Sequence, residues 1–269
     1  MQILLQHRAF AYDDDGDGPP IVFIHGFPHD RTLWAHQRAA LASRARVIVP
    51  DLCGFGESAA EGVMTVERYA DDIIALLDVL AIERAVVCGL SMGGYIAMAM
   101  WRRAPQRISG LVFCDTKAAP DNDAGRAARD ETITFVQQAG AGALAERQLP
   151  KMLGTSTHAR RPEVVDAMRS MMTRQSVDGI VAALGALRDR PDSRETVQSI
   201  SVPTLVVVGD DDQLTPLSDA QALIALLPPS AHARLEIIED SGHAVCVERP
   251  SAVTHVISEF LNTLTDTNA

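Results

Sequence analysis

A serine stands in a glycine-rich turn between two segments of different character. The sequence Gly89-Leu90-Ser91-Met92-Gly93-Gly94 follows the apolar run 85–88 and precedes a run of helical pattern, 95–103. A G-x-S-x-G pattern between a strand and a helix is typical of a sharp turn that exposes a nucleophilic serine, because small residues on either side let the chain reverse. We therefore expect the Ser91 hydroxyl to attack a carbonyl carbon while the Met92 backbone N–H stabilises the oxyanion.

A second turn offers another donor for that oxyanion. The sequence His25-Gly26-Phe27-Pro28 directly follows the apolar run 21–24. A turn at this place presents a backbone N–H to the substrate, and Phe27 is the residue that would supply it. Because a catalytic base in this arrangement follows the nucleophile in the chain, we expect His25 and Gly26 to support the loop through hydrogen bonds rather than take part in proton transfer.

The serine requires a histidine as base and a carboxylate to orient that histidine. His243 lies in the loop Ser241-Gly242-His243 after the last apolar run, 235–238. Asp210, Asp211 and Asp212 follow another such run and Asp115 ends a third, so chemistry alone leaves four candidates for the acid. The histidines other than His25 and His243 are interpreted as surface or packing residues: His7, His29, His36, His158, His232 and His255.

The elements that position these residues follow from the apolar pattern. Runs of this length suit strands that are buried on both faces of a parallel sheet, and one intervening segment, 65–81, has apolar residues at the spacing of a helix. The alternation predicts an α/β fold with a mostly parallel central sheet and helices on both faces. The predicted strands are 20–25, 46–51, 85–89, 110–115, 202–209 and 233–239.

One long segment interrupts the alternation. Residues 117–194 contain no convincing strand but carry a stripe of apolar residues at helical spacing: Val164, Met168, Met171 and Met172. We expect a helical cap, 117–194, inserted into a core formed by residues 1–116 and 195–269. Such a cap would cover the sheet edge at which ligands bind.

The methionines of the cap have two interpretations. They pack the cap helices together, which we favour, or they line a substrate pocket for which Met152, Leu153, Met168 and Met172 are the candidates. Because aromatic residues are scarce in the cap apart from Phe135, we expect the surface above Ser91 to be aliphatic and rich in methionine.

Composition excludes several classes of protein. The 269 residues (29.0 kDa) carry a formal net charge of −11 with scattered basic residues, which argues against nucleic acid or an anionic membrane as a partner. No apolar stretch approaches the roughly 20 residues that span a bilayer. The N-terminus shows no secretory signal, so we expect a cytoplasmic protein. The four cysteines are too widely spaced for a disulfide scaffold and are expected to be reduced thiols in the core.

One acidic run resembles a metal loop. Asp13-x-Asp15-x-Asp17-Gly18 matches the first half of an EF-hand calcium loop, but the twelfth position is Ile24 instead of the required glutamate. We interpret the run as a solvated turn. Neither this run nor any histidine or cysteine cluster predicts a bound metal, and no cofactor is expected.

These motifs together resemble the α/β-hydrolase superfamily, and most closely its small bacterial esterases and lactonases, which include 3-oxoadipate enol-lactonases. The His25-Gly26-Phe27-Pro28 turn, the serine turn and the segment Pro50-Asp51-Leu52-x-Gly54-x-Gly56-x-Ser58 match. The resemblance implies Ser91 as nucleophile, His243 as base and Asp212 as acid, the last from the family's G-x-x-D-x-x-x-P pattern. It also implies Phe27 and Met92 as oxyanion donors and a helical cap at 117–194. The N-terminal part departs from the family pattern, because it leaves room for only an abbreviated first hairpin before Ile21.

The implied activity is hydrolysis of small carboxylic esters or lactones through an acyl-enzyme, by a monomer or homodimer. Acyl-homoserine lactones, enol-lactones and medium-chain esters are candidate substrates. Haloalkane dehalogenases and epoxide hydrolases carry an aspartate where Ser91 stands, and dienelactone hydrolases a cysteine. The alternatives left open are a C–C bond hydrolase or a cofactor-free haloperoxidase or perhydrolase on the same triad, and a ligand-sensing receptor that uses the hydrolase fold as a binding module.

Overall fold

An eight-stranded sheet organises the part of the chain that the computed structural model describes, residues 1–5 and 7–266. The strands run in the order β1-β2-β4-β3-β5-β6-β7-β8. The pairs β1–β2 and β2–β4 are antiparallel and all other pairs are parallel, so the predicted mostly parallel α/β sheet is confirmed. The strands are β1 (Gln2–Leu5), β2 (Arg8–Asp15), β3 (Pro20–Ile24), β4 (Arg46–Pro50), β5 (Ala85–Leu90), β6 (Ile108–Cys114), β7 (Thr204–Gly209) and β8 (Arg234–Ile238).

Helices connect the parallel strands. The predicted helix over 65–81 is α2, which Thr65 begins by accepting a hydrogen bond from the Arg68 N–H (3.1 Å). Within the described residues, no helix has the length and hydropathy to span a membrane. The helices are α1 (Ala35–Leu41), α2 (Val66–Val79), α3 (Met92–Arg103), α4 (Asp123–Met152), α5 (Thr155–Arg160), α6 (Pro162–Thr173), α7 (Val177–Arg188), α8 (Arg194–Gln198), α9 (Leu217–Leu226), α10 (Val245–Glu248) and α11 (Pro250–Asp266).

The segment between β6 and β7 consists of helices and the loops that join them. It contains α4 to α8, and residues 117–194 have no strand. The long helix α4 is broken at Gly140, where φ is 82° and ψ is 175°, a backbone conformation that glycine adopts without a steric penalty. The division of the chain into a core and a cap at residues 117 and 194 stays a prediction.

The apolar runs fill both faces of the sheet. In β3, Ile21 and Phe23 belong to one hydrophobic cluster, whereas Val22 and Ile24 belong to another. This division follows from the pleat, which points successive side chains to opposite faces. Because both faces are covered, the strand sequences read as continuous apolar runs instead of alternating ones.

The prediction of a solvated turn over Asp13–Gly18 was wrong for residues 13–15, whereas Asp17 lies in an exposed bend. Residues 13–15 are the last part of β2, which pairs with β4. Their carboxylates form ion pairs with arginines of neighbouring elements, Asp13 and Asp15 with Arg38, and Asp14 with Arg46. The neutralising guanidinium groups explain how an acidic run continues a strand that the sequence pattern did not indicate.

The turn from β5 into α3 is held unusually close to β3. A Cβ atom at Gly93 would overlap the carbonyl oxygen of Ile24, the last residue of β3, and one at Gly89 would overlap the Gly93 carbonyl. Glycine is therefore required at both positions because the backbones leave no room for a side chain. This close approach fixes the start of α3 against the carboxyl end of β3.

We expect Gly93→Ala to destabilise the protein by about 1–3 kcal/mol or more, because its methyl group meets backbone that cannot move aside. Gly185→Ala in α7 is the matched control. A Cβ there meets nothing within 4 Å, and alanine favours a helix over glycine by about 0.5–1 kcal/mol. Thermal unfolding followed by circular dichroism measures both changes. A Gly93→Ala protein as stable as the Gly185→Ala protein would contradict the close approach.

Candidate active site

The predicted catalytic residues all follow carboxyl ends of parallel strands. The His25–Phe27 turn follows β3, Ser91 follows β5, Asp212 follows β7, and His243 follows β8. Since these strands run parallel, their carboxyl ends lie at one edge of the sheet. In open α/β sheets this edge is where ligands bind.

Ser91 lies in a strained turn that neighbouring backbone stabilises. Its φ is 51°, in the left-handed region that non-glycine residues rarely adopt. Its backbone N–H donates to the Cys114 carbonyl (2.8 Å), and its carbonyl accepts from the Thr116 hydroxyl (2.9 Å). Such strain persists where the surroundings determine the conformation, and here it leaves a half-buried serine at the start of α3.

His243 is hydrogen-bonded to Asp212. The distance from His243 Nδ1 to Asp212 Oδ2 is 2.9 Å, and both side chains are buried. Asp212 also accepts the backbone N–H groups of Leu214 (2.8 Å) and Thr215 (3.0 Å) and the Thr215 hydroxyl (2.8 Å). Burial alone would raise the pKa of Asp212, but His243 and these hydrogen bonds outweigh it and hold the pKa below its usual value.

The other three candidate carboxylates contact backbone instead. Asp210 accepts from the N–H of Ser241 (3.1 Å) and Asp211 from that of Thr155 (2.6 Å). Asp115 is buried and accepts from Gly209 (3.0 Å) and Val245 (3.4 Å), and burial together with the charge of Asp212 raises its pKa well above the usual value. Among the described residues, Asp212 is therefore the carboxylate that orients the His243 ring.

Both ring nitrogens of His25 form hydrogen bonds. Nδ1 donates to the Gly26 carbonyl (2.8 Å), and Nε2 accepts from the Leu52 N–H (3.0 Å). These partners require the neutral ring, and burial also lowers the pKa of His25. The hydrogen bonds join the Phe27 turn to the loop after β4, while the Phe27 ring packs edge-on against Phe55 at 6.4 Å between centroids.

Sequence reasoning missed a buried glutamate that fixes the His243 loop. The Glu248 carboxylate accepts from the N–H groups of Gly242 and Gly154, each at 2.8 Å. The His243 N–H donates to the Met152 carbonyl at the end of α4 (2.9 Å). The one signal available in the sequence was an acidic residue directly after the apolar run 244–247, since a carboxylate buried with such a run requires several donors.

A cavity of about 240 Å³ contains Ser91 and His243. The expectation of an aliphatic, methionine-rich surface above Ser91 was wrong, because most of the lining from 117–194 is polar or charged. Phe27, Tyr95, Leu214 and Thr215 line the rest of the cavity. The lining residues from 117–194 are Lys117, Asp121, Arg129, Arg147, Gln148, Lys151, Met152 and Leu187.

Of the four candidate pocket residues, only Met152 lines this cavity. Leu153, Met168 and Met172 are buried in the hydrophobic cluster that also contains Phe23 and Trp34. The helical spacing of Met168 and Met172 reflects packing of α6 against α4 and the body of the protein, the interpretation that we favoured. The Met92 side chain is also buried, and Met92 begins α3 directly after Ser91.

His29 is a second residue near the site that sequence reasoning did not single out. It is completely buried, its Nε2 lies 3.2 Å from the Met152 sulfur, and its Nδ1 has no hydrogen-bond partner among the described residues. Burial, together with the neighbouring His25 and His243, lowers the pKa of His29 to about 3. A lone histidine gives no sequence signal of this kind, because burial depends on the tertiary fold.

Comparisons with known proteins agree with this architecture. A family model described as "alpha/beta hydrolase fold" matches residues 19–250. Among curated proteins, 3-oxoadipate enol-lactonase 2 of Acinetobacter baylyi is 28% identical over 260 residues, which cover 96% of this chain and 93% of the relative.

Within the described residues, no group of three or more His, Cys, Asp or Glu side chains could hold a metal ion.

Two solved structures are similar over nearly the whole chain. A thermophilic esterase from Thermogutta terrifontis, in a malate-bound form, is 37% identical with a TM-score of 0.94, and the match covers 98% of each chain. The enol-lactonase from Burkholderia xenovorans LB400 is 29% identical with a TM-score of 0.90, and the match covers 97% of this chain and 100% of the other.

The buried His29 predicts a loss of stability in acid. Unfolded His29 binds a proton near the ordinary pKa of 6.5, whereas the folded residue does so only near 3, so stability present above 6.5 is lost as the pH falls between these values. We expect His29→Gln to weaken this dependence by up to about 1.4 kcal/mol per pH unit. Urea unfolding at several pH values between about 7 and about 4 measures the slope. The exposed His36 provides the control variant, His36→Gln, and equal slopes for the two variants would contradict the prediction.

Proposed function

Because this chain belongs to the α/β-hydrolase family, we propose that it is a serine hydrolase that cleaves carboxylic esters or lactones, with Ser91 as the nucleophile. The observation that carries the proposal is the His243–Asp212 hydrogen bond beside the cavity that Ser91 and His243 share. Nucleophile, orienting carboxylate and base (Ser91, Asp212 and His243) follow in the chain order that this fold uses. The esterase and enol-lactonases among the similar proteins support this class of substrate.

In the proposed reaction, His243 accepts the proton of the Ser91 hydroxyl as the oxygen attacks the ester carbonyl carbon. The resulting oxyanion is stabilised by the backbone N–H groups of Phe27 and Met92. Collapse of the tetrahedral intermediate breaks the ester C–O bond, and protonated His243 gives its proton to the departing alcohol. A water molecule, deprotonated by His243, then attacks the acyl carbon and forms a second tetrahedral intermediate. Its collapse breaks the bond between the acyl carbon and Ser91 Oγ, and His243 returns its proton to Oγ as the carboxylic acid leaves.

The role of Asp212 follows from its electrostatics. A carboxylate whose pKa is held low stays ionised while His243 carries a proton, so it stabilises the imidazolium without accepting that proton. The Nδ1 hydrogen bond leaves Nε2 as the nitrogen that exchanges protons.

We expect Ser91→Ala to lower kcat on a short p-nitrophenyl ester by several orders of magnitude, because the acyl-enzyme no longer forms. A fluorophosphonate probe, which labels activated serines, should modify the wild-type protein at Ser91, as mass spectrometry of its peptides would show. The exposed Ser170 provides the control variant, Ser170→Ala, which should retain activity and labelling. Near-normal turnover or labelling of a correctly folded Ser91→Ala protein would refute the proposed nucleophile.

Asp212→Asn should lower kcat at least about a hundredfold, because the amide does not stabilise the His243 imidazolium. Asp211→Asn is the matched control, since Asp211 is the next residue and bonds the backbone of Thr155 instead of His243. We expect it to change kcat only a few fold. If Asp211→Asn caused the larger loss while both proteins remained folded, the assignment of the acid would be wrong.

A further inference from the structure

The two lysines of this chain lie together at the cavity that contains Ser91. The sequence has 24 lysine and arginine residues, and all except Lys117 and Lys151 are arginine. Lys117 follows β6 and Lys151 lies in the last turn of α4, so two separate elements bring them to the same cavity. Lysine is a compact point charge on a flexible stem, which distinguishes these positions chemically from the many arginines elsewhere.

The charges around the lysines are poorly compensated. Arg147 and Lys151 are four residues apart on α4 and therefore neighbours on one helix face, an arrangement of like charges that destabilises a helix. Within the described residues neither forms an ion pair, and Arg147 instead lies over the Phe135 ring at 5.1 Å. Lys117 lies 3.8 Å from Asp219, at the outer limit of an ion pair.

The carboxylate of the cavity is already engaged. Among the described residues that line the cavity, Asp121 is the one carboxylate, and it pairs with Arg129 (3.1 Å) and Arg190 (2.9 Å). Its negative charge is therefore shared by two guanidinium groups and does not compensate Lys151, while Lys117 has only its long contact with Asp219. A protein with a net charge of −11 thus surrounds the proposed nucleophile with excess positive charge.

We propose that Lys117 and Lys151, with Arg147 beside them, bind a carboxylate of the substrate, so that the enzyme prefers esters or lactones that carry a free carboxylate group. This inference rests on the proposed function of Ser91. A cavity of about 240 Å³ accommodates a small acid of this kind better than a long apolar acyl chain. The ammonium groups hold the free carboxylate while the ester carbonyl reaches Ser91, and the attraction of the half-buried Lys117 is stronger than it would be in bulk water.

Pairs of esters of which one member carries a free carboxylate and the other does not test the proposal. Mono-p-nitrophenyl adipate and p-nitrophenyl hexanoate share their leaving group and acyl length, but only the first has a carboxylate in its acyl part. The pair 4-acetoxybenzoate and phenyl acetate places the carboxylate in the alcohol part. For at least one pair, the wild-type enzyme should show a higher kcat/KM for the anionic ester.

Charge-removing variants assign this preference to the lysines. Lys117→Gln and Lys151→Gln should each lower the ratio of anionic to neutral kcat/KM about tenfold, with less than about twofold change on the neutral ester. Lys151→Arg keeps the charge and should restore most of the ratio. Arg160→Gln removes a cation from α5, outside the cavity lining, and should leave the ratio unchanged.

Chemical modification supplies an independent test, because the chain has two lysines. Acetylation removes their charges, whereas reductive methylation keeps them. Acetylated enzyme should lose the preference for the anionic ester, and methylated enzyme should keep it. In the double variant Lys117→Gln/Lys151→Gln, the amine that still reacts is the N-terminus. Neither reagent should change the ratio of anionic to neutral kcat/KM of this variant.

The outcomes separate this inference from the proposed function. If the enzyme hydrolyses the neutral esters but the lysine variants shift neither ratio by more than about twofold, the carboxylate site is refuted and Ser91 keeps its role. If wild-type enzyme hydrolyses none of the esters, the proposed function fails and the inference fails with it.

Raising the NaCl concentration from about 0.05 to about 0.5 M should lower kcat/KM only for the anionic esters.

Discussion

The close approach of the β5–α3 turn to its neighbours is the constraint on which the candidate site depends. Gly93 places α3 against the end of β3, while Ser91 bonds the last residue of β6 and the Thr116 hydroxyl beyond it. The central position of β5, between β3 and β6, makes these contacts possible. A larger residue at Gly93 would displace the helix start from β3, and with it the Met92 N–H from the Phe27 turn that follows β3.

The candidate site also depends on which of its buried ionisable side chains are charged. The pKa values of His25, His29 and Asp212 are each shifted by their surroundings: burial lowers the pKa of the two histidines, and His243 with several hydrogen bonds lowers that of the aspartate. Asp115 completes the pattern, because its carboxyl group holds the ends of two loops with a pKa raised by burial and by Asp212. Asp212, which the proposed mechanism keeps charged, thus differs from Asp115, whose pKa is raised and which bonds backbone N–H groups alone.

The fold class could be predicted from the sequence because apolar runs of strand length and apolar residues at helical spacing are local patterns. They can be recognised without knowing which residues are in contact. The sequence placed Ser91 and His243 in turns after strands for the same reason. It did not separate Asp210, Asp211 and Asp212 on chemical grounds, since neighbouring residues differ only in the direction of their side chains. The acidic end of β2 escaped prediction because its partners, Arg38 and Arg46, come from distant parts of the chain.

The surface above Ser91 shows most clearly where a local pattern misleads. Met168 and Met172 have helical spacing, but spacing does not reveal whether a helix face meets the cavity or the hydrophobic cluster, and here it meets the cluster. The face of α4 that meets the cavity carries Arg147 and Lys151 instead. Both residues belong to the part of α4 that follows the break at Gly140.

The end of α4 also connects the proposed carboxylate site with His243, the proposed base. Lys151 directly precedes Met152, whose carbonyl accepts the His243 N–H, and Gly154 shares the Glu248 carboxylate with Gly242. The residues that would hold a carboxylate and those that position the base therefore belong to one short, hydrogen-bonded segment. Because these backbone bonds fix Met152 relative to His243, the distance between the lysine and the base varies only with the lysine side chain. Such a segment can place an anionic ester at a defined distance from Ser91 without requiring the sheet to move.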